Sequence, residues 1–123
     1  MREILFKAKR LDNGEWIIGC YAFMHSSHYI MPEDDFNIWH EIDPETICQF
    51  TGLTDKNGNK IWENDIVYAR CKGLSGMGII KYEDGSLVIE DKKRKRMYSL
   101  FGEWMFRVDG NVFDNPELLE RMG

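Results

Sequence analysis

Thr51-Gly52-Leu53-Thr54-Asp55-Lys56-Asn57-Gly58-Asn59-Lys60-Ile61-Trp62-Glu63-Asn64-Asp65-Ile66-Val67 is the stretch that decides the fold. Two turn signals sit in it, Asp55-Lys56-Asn57-Gly58 and Glu63-Asn64-Asp65. Each leads into an apolar run, Ile61-Trp62 after the first and Ile66-Val67 after the second. Asn and Gly tolerate the positive φ that tight reversals demand, so Asn57 and Gly58 set one reversal and Asn64 and Asp65 the next. Ile66-Val67 then starts a core strand, Asp65–Cys71.

Downstream, Gly78–Glu83 and Ser86–Glu90 are β-branched runs separated by Asp84-Gly85, the clearest hairpin in the chain. Gly73–Gly76 is expected to be a flexible connection. Asp91–Arg96 is a charged turn, and Met97–Phe101 and Met105–Val108 are expected as final strands. Gly110–Phe113 turns the chain once more. Asn115 is placed to cap a short helix with Pro116 at its first position, and Leu118 and Met122 fall four apart on one face.

Upstream, Ile4–Phe23 is expected to be a β-hairpin turning at Leu11–Glu15, because its second arm is aromatic and β-branched. The segment from His25 to Glu45 has no clear period. It carries Glu33, Asp34, Asp35, Glu41, Asp43 and Glu45 with no basic residue among them. A short strand is expected around Tyr29–Met31 and another at Ile47–Phe50. Phe36, Ile38 and Trp39 suggest that the loop between them folds back on the body, and Phe36 and Trp39 are candidates for an interface. Short strands with turns about every ten residues, and no βαβ spacing, give a mainly β fold. We expect a small antiparallel barrel over residues 48–123 with a C-terminal helix. An N-terminal hairpin and acidic loop, residues 1–47, pack on or beside it, and the whole is able to fold as one unit.

The chain has 123 residues, one domain's worth, and 43% hydrophobic content, enough for a core. Its net charge of -5 opposes non-specific attraction to nucleic acid. Cys20, Cys48 and Cys71 share no ligand spacing and read as buried thiols of a reducing cytoplasm. The start, MREILFKAKR, has no apolar signal core, and no run reaches the roughly 18 apolar residues of a membrane span. A cytoplasmic protein with no membrane partner is the expectation.

Few residues suggest chemistry. Lys92, Lys93, Arg94, Lys95 and Arg96 form a basic run suited to phosphates or an acidic partner, with Tyr98, Phe101 and Trp104 near enough to stack on bases. The plainer reading is a solvated hairpin tip, pairing with the acidic loop of a neighbouring copy. His25 and His28, with Cys20 and His40, lack the paired Cys spacing of a zinc site, so loop residues are expected there rather than a metal site. Asp55, Glu63, Asp65, Asp84, Asp109, Asp114 and Glu117 occupy turn or cap positions, where carboxylates serve the local backbone. No nucleophile elbow and no phosphate loop is present, so no catalytic residue and no cofactor is assigned.

Three segments resemble the YopX family of small proteins encoded by phages and prophages of bacteria. They are Arg2–Ala8 with Asn13–Trp16 and Gly19; Ile42–Thr46, Gln49–Leu53, Asp55–Gly58 and Ile61–Val67; and Gly110–Leu119. Cys48 and Asn64 depart from the family pattern, which more often has Gly at both positions. Asn is the best non-glycine substitute where φ is positive. The resemblance implies an SH3-type barrel and self-association, and it carries no reaction or catalytic residues. The expected function is therefore that of a phage- or prophage-encoded accessory protein: a non-enzymatic interaction module that binds itself and an unidentified phage or host protein. The abundance of aromatic and Met residues, among them Met24, Met31, Trp39, Trp62 and Trp104, suits interfaces as well as cores. The alternative is a nucleic-acid binder using Lys92–Arg96 with Tyr98. An enzyme working through the acidic loop is the third possibility, and it requires a cleft holding a carboxylate with a strongly shifted pKa.

Overall fold

Antiparallel pairing organises both compact units of the chain, which divide after Gly52 in a computed structural model that describes residues 4–100 and 104–122. Arg2, Glu3 and Phe101, which figure in the sequence argument, lie outside the described residues.

In the first unit β1 (Phe6–Lys9) pairs with β2 (Trp16–Met24), and β2 with β3 (Ser27–Pro32). β3 carries the two-residue β4 (His40–Glu41), and β1 also pairs with β5 (Cys48–Thr54), giving the order β4-β3-β2-β1-β5. The expected N-terminal hairpin is present. The reversal between β2 and β3 was not legible, because it is made by His25 (φ 50°) and Ser26 (φ 65°) rather than by glycine or asparagine. Ala8, Ile30 and Ile42 are buried together, with Phe6, Ile17, Tyr21 and Ile47 against them. Ile42 rather than the loop aromatics folds back: its N–H donates to the His28 carbonyl at 3.0 Å. Asp43 then caps a 3-10 turn, Pro44–Thr46, through a 3.0 Å bond from the Glu45 N–H.

β5 straddles the boundary and is followed in sheet order by β6 (Lys60–Trp62). The second unit holds β7 (Asp65–Cys71), β8 (Leu74–Glu83), β9 (Ser86–Asp91), β10 (Arg96–Ser99) and β11 (Met105–Asn111), in the order β10-β9-β8-β7-β11. Among the described residues this five-stranded sheet is open, with β10 and β11 at its edges, so the barrel expected from Cys48 onward is not closed. Its core unites Ile61, Val67, Ala69, Ile80, Ile89 and Phe106. The fold is mainly β, with one short helix, α1 (Pro116–Met122).

The turns follow their chemistry. Asp84 (φ 51°) and Gly85 (φ 81°) both take left-handed conformations, the signature of the type I′ hairpin whose twist suits paired strands. Asn64 has φ 72°, so its departure from glycine is tolerated, while Cys48 is not among the positive-φ residues. In the earlier reversal only Gly58 is left-handed, at φ 84°.

Three expectations are corrected. Leu74–Gly76 belong to β8, joined to β7 by a two-residue turn at Lys72-Gly73, and Gly78 is a packing residue whose missing Cβ makes room for Ile89. The Asn115 side chain does not cap the helix, because its oxygen accepts from the Asn111 N–H at 3.1 Å. Only Cys48 is a buried thiol; Cys20 and Cys71 are half-buried. Met122 packs on Ile66 and Ile79 with Leu118 and Leu119 beside it, so docking holds this short helix. No helix among the described residues is long and apolar enough to cross a membrane.

Candidate interaction surfaces

Residues 33–39 form an acidic and apolar loop in the first unit. Its chain is held by bonds of its own: Asp35 N–H to the Pro32 carbonyl (3.2 Å), Asn37 N–H to Asp35 Oδ1 (3.0 Å), and Ile38 N–H to the Asp35 carbonyl (3.3 Å). Trp39 Nε1 donates to the Phe36 carbonyl at 3.2 Å, and its ring meets Tyr29 edge-on at 5.6 Å. With the backbone so occupied, the side chains turn outward. Phe36, Ile38 and Trp39 are 56%, 45% and 40% exposed, and Glu33 and Asp34 are exposed beside them. Phe23 and Met24, at the end of β2, are exposed as well. Trp62, by contrast, is spent in the core.

The basic run lies between β9 and β10, where Asp91 and Arg96 are paired and Lys92–Lys95 form the loop. Asp91 organises it: one carboxylate oxygen accepts from the Arg94 N–H (3.1 Å) and the other from Arg94 Nη1 (3.0 Å). Burial alone would push the Asp91 carboxyl up, but these bonds and the Arg94 charge outweigh it and hold the group below the ordinary carboxylate range. Arg94 is therefore bonded within its own hairpin although its side chain stays exposed, and Lys92, Lys93, Lys95 and Arg96 are exposed as well. Tyr98 is half-buried, its ring 6.4 Å from that of Trp104, which stacks on Phe106 at 6.1 Å. Tyr98, Trp104, Leu74, Met77, Ile89 and Arg94 line a cleft whose interior is about 20 Å³. Trp104 Nε1 is shielded from solvent and has no hydrogen-bond partner among the described residues.

The turn residues act as scaffolding. Asp65 Oδ2 accepts from the Trp62 N–H at 2.8 Å, closing the Glu63-Asn64 reversal. Asn64 is gripped on both sides, its N–H donating to the Ile80 carbonyl (2.7 Å) and its carbonyl accepting from the Val112 N–H (3.1 Å). Asp55 does more than serve its own turn. It accepts from the Asn57 and Asn59 N–H groups on Oδ1, and from Asn59 Nδ2 and the distant Val108 N–H on Oδ2. Burial raises the pKa of this carboxyl, but the bonds from Asn59, Val108 and Asn57 prevail and the net shift is downward.

One basic surface was missed. β7 and β11 place Tyr68 opposite Arg107 and Arg70 opposite Met105, and the Asp55 turn brings Lys56 alongside. Together they line a dent of about 140 Å³, with the Arg107 guanidinium 5.1 Å over the Tyr68 ring and bonded to Asp109. Strand alternation at Tyr68/Arg70 and Met105/Arg107 was the available signal, but nothing local announced that the two strands would be neighbours. Of the histidines, His28 bonds Tyr21 through Nδ1 and the hydroxyl at 2.5 Å, and His25 sits in a tight turn. No group of three or more metal-ligating side chains forms among the described residues.

A family model described as YopX protein matches residues 6–120, nearly the whole chain. No curated protein sequence matches it.

Proposed function

The chain belongs to the YopX family, and from that premise we propose that it is a phage- or prophage-encoded accessory protein that works as a non-enzymatic, self-associating interaction module in the bacterial cytoplasm. Its second unit is taken to be an SH3-type module with an incompletely closed sheet. The observation that carries the reading is the cluster of large apolar side chains left in water on the first unit: Phe36, Ile38 and Trp39 on one preformed loop. Contiguous exposed apolar groups rimmed by charge are characteristic of protein interfaces, where aromatic residues supply most of the binding energy. Light scattering across micromolar concentrations tests it. Association that grows with concentration is expected, and a strict monomer throughout overturns it.

A second reading has its own support, the five exposed cations Lys92–Arg96 of the β9–β10 hairpin close to Tyr98. It makes the hairpin a contact for single-stranded nucleic acid. Binding would then weaken steeply with salt and disappear when Lys92, Lys93, Lys95 and Arg96 become serine. Affinity unchanged by those substitutions removes this reading.

A further inference from the structure

We propose that the loop Glu33–Trp39 of one copy docks on the β9–β10 hairpin and the Trp104 cleft of a second copy; this rests on the self-association reading and names the surfaces that would carry it. The two surfaces are complementary in charge. The loop offers Glu33, Asp34 and Asp35 in a stretch without a basic residue, and the hairpin offers Lys92, Lys93, Lys95 and Arg96 with Arg94 already neutralised by Asp91. They are also complementary in apolar character. Phe36, Ile38 and Trp39 stand exposed beside the acids, while Leu74 and Met97 stand exposed beside the cations.

Trp104 lines the cleft, and its buried Nε1 has no hydrogen-bond partner among the described residues, an arrangement that costs free energy. The interior, about 20 Å³, has room for about one water, so the loop aromatics cover its mouth rather than fill it. The loop's own hydrogen bonds fix its shape beforehand, which lowers the ordering cost of docking. Nucleic acid would satisfy the cations but leave Phe36, Ile38 and Trp39 in water, so a second copy fits both surfaces better. Every copy carries both halves, so the contact closes reciprocally about a two-fold axis or runs head to tail around a ring.

The test uses the full chain and two charge-reversed variants, Lys93→Glu/Lys95→Glu and Glu33→Lys/Asp34→Lys. All four positions are exposed, and an unchanged thermal midpoint checks that each variant folds. Sedimentation equilibrium should show that each variant alone associates at least about tenfold more weakly than the parent, because like charges now face each other. Mixing the two should restore association, since each acidic surface again meets a basic one. A parent that associates with both variants unaffected overturns this contact while leaving self-association standing. A parent that never associates overturns both. Loss of association in each variant without recovery on mixing also overturns the pairing. If the hairpin variant loses binding to a single-stranded oligonucleotide but keeps its oligomeric state, the hairpin belongs to nucleic acid and the proposal fails.

Discussion

Asp55 Oδ2 accepts a hydrogen bond from the Val108 N–H at 3.2 Å, joining residues 53 apart in sequence. β11 is an edge strand, and its outward-facing Phe106 carbonyl is taken up as well, by the Lys56 N–H at 3.1 Å. The Asp55–Asn59 turn thus covers part of an edge that could otherwise recruit a foreign strand. The same carboxylate builds the turn and seals the sheet.

Replacing Asp55 should therefore cost more than an ordinary turn residue. Asp55→Ala strands the N–H groups of Asn57, Asn59 and Val108, and the expected loss is roughly 2–3 kcal/mol. Asp55→Asn keeps an acceptor oxygen and should lose less. Urea denaturation midpoints measure both; equal and small losses would show that the Val108 bond contributes nothing.

Acid should destabilise the second unit in a defined direction. Asp55 and Asp91 both titrate below the ordinary carboxylate range in the folded protein. On acidification the unfolded chain takes up these protons first, near its usual value of about 3.9. Their stabilisation is complete above that pH and is lost as the pH falls through the lower folded values. Thermal midpoints followed from neutral pH into acid should drop there, and Asp55→Asn should flatten the drop. An acid limb unchanged by that substitution would refute the assignment.

Left-handed backbone sets the tolerance of the two central reversals. Gly58 at φ 84° and Asn64 at φ 72° exclude β-branched residues, so Gly58→Val and Asn64→Val should each cost about 1–2 kcal/mol. Asn64→Gly should be neutral or nearly so. Normal stability of both valine variants in chemical denaturation would show these positions to be something other than scaffolding.

Gly19 is expected to be less replaceable than Gly14 in the first unit. It pairs with Pro32 across β2 and β3, and a Cβ there would run into the Met31 carbonyl, which is backbone and cannot swing away. Gly19→Ala should cost at least the roughly 1–3 kcal/mol of ordinary overpacking. Gly14→Ala, in open space, strains only its own φ of 72° and should cost less. The two thermal midpoints decide the order.

Much of this protein was written locally. Asp84-Gly85, Gly58 and Asn64 encode their reversals in backbone preferences that need no distant partner, and the β-branched runs between them read as strands. The antiparallel class follows from the same short-range chemistry, and the family is legible in the residues of those turns. The C-terminal helix is marked by Pro116 and the spacing of Leu118 and Met122 but held by docking on Ile66 and Ile79. Tertiary structure alone decided the remainder, because it depends on pairs far apart in sequence. His25-Ser26 turns because β2 and β3 pair around it, although neither residue favours a positive φ. Phe36 and Trp39 remain in water, and Ile42 is the residue after their loop that joins the core. Arg94 is paired with Asp91 inside the basic run, and Tyr68 meets Arg107 only across β7 and β11. Hydrophobicity and turn propensity can be read one residue at a time; which face is covered, and by whom, belongs to pairs.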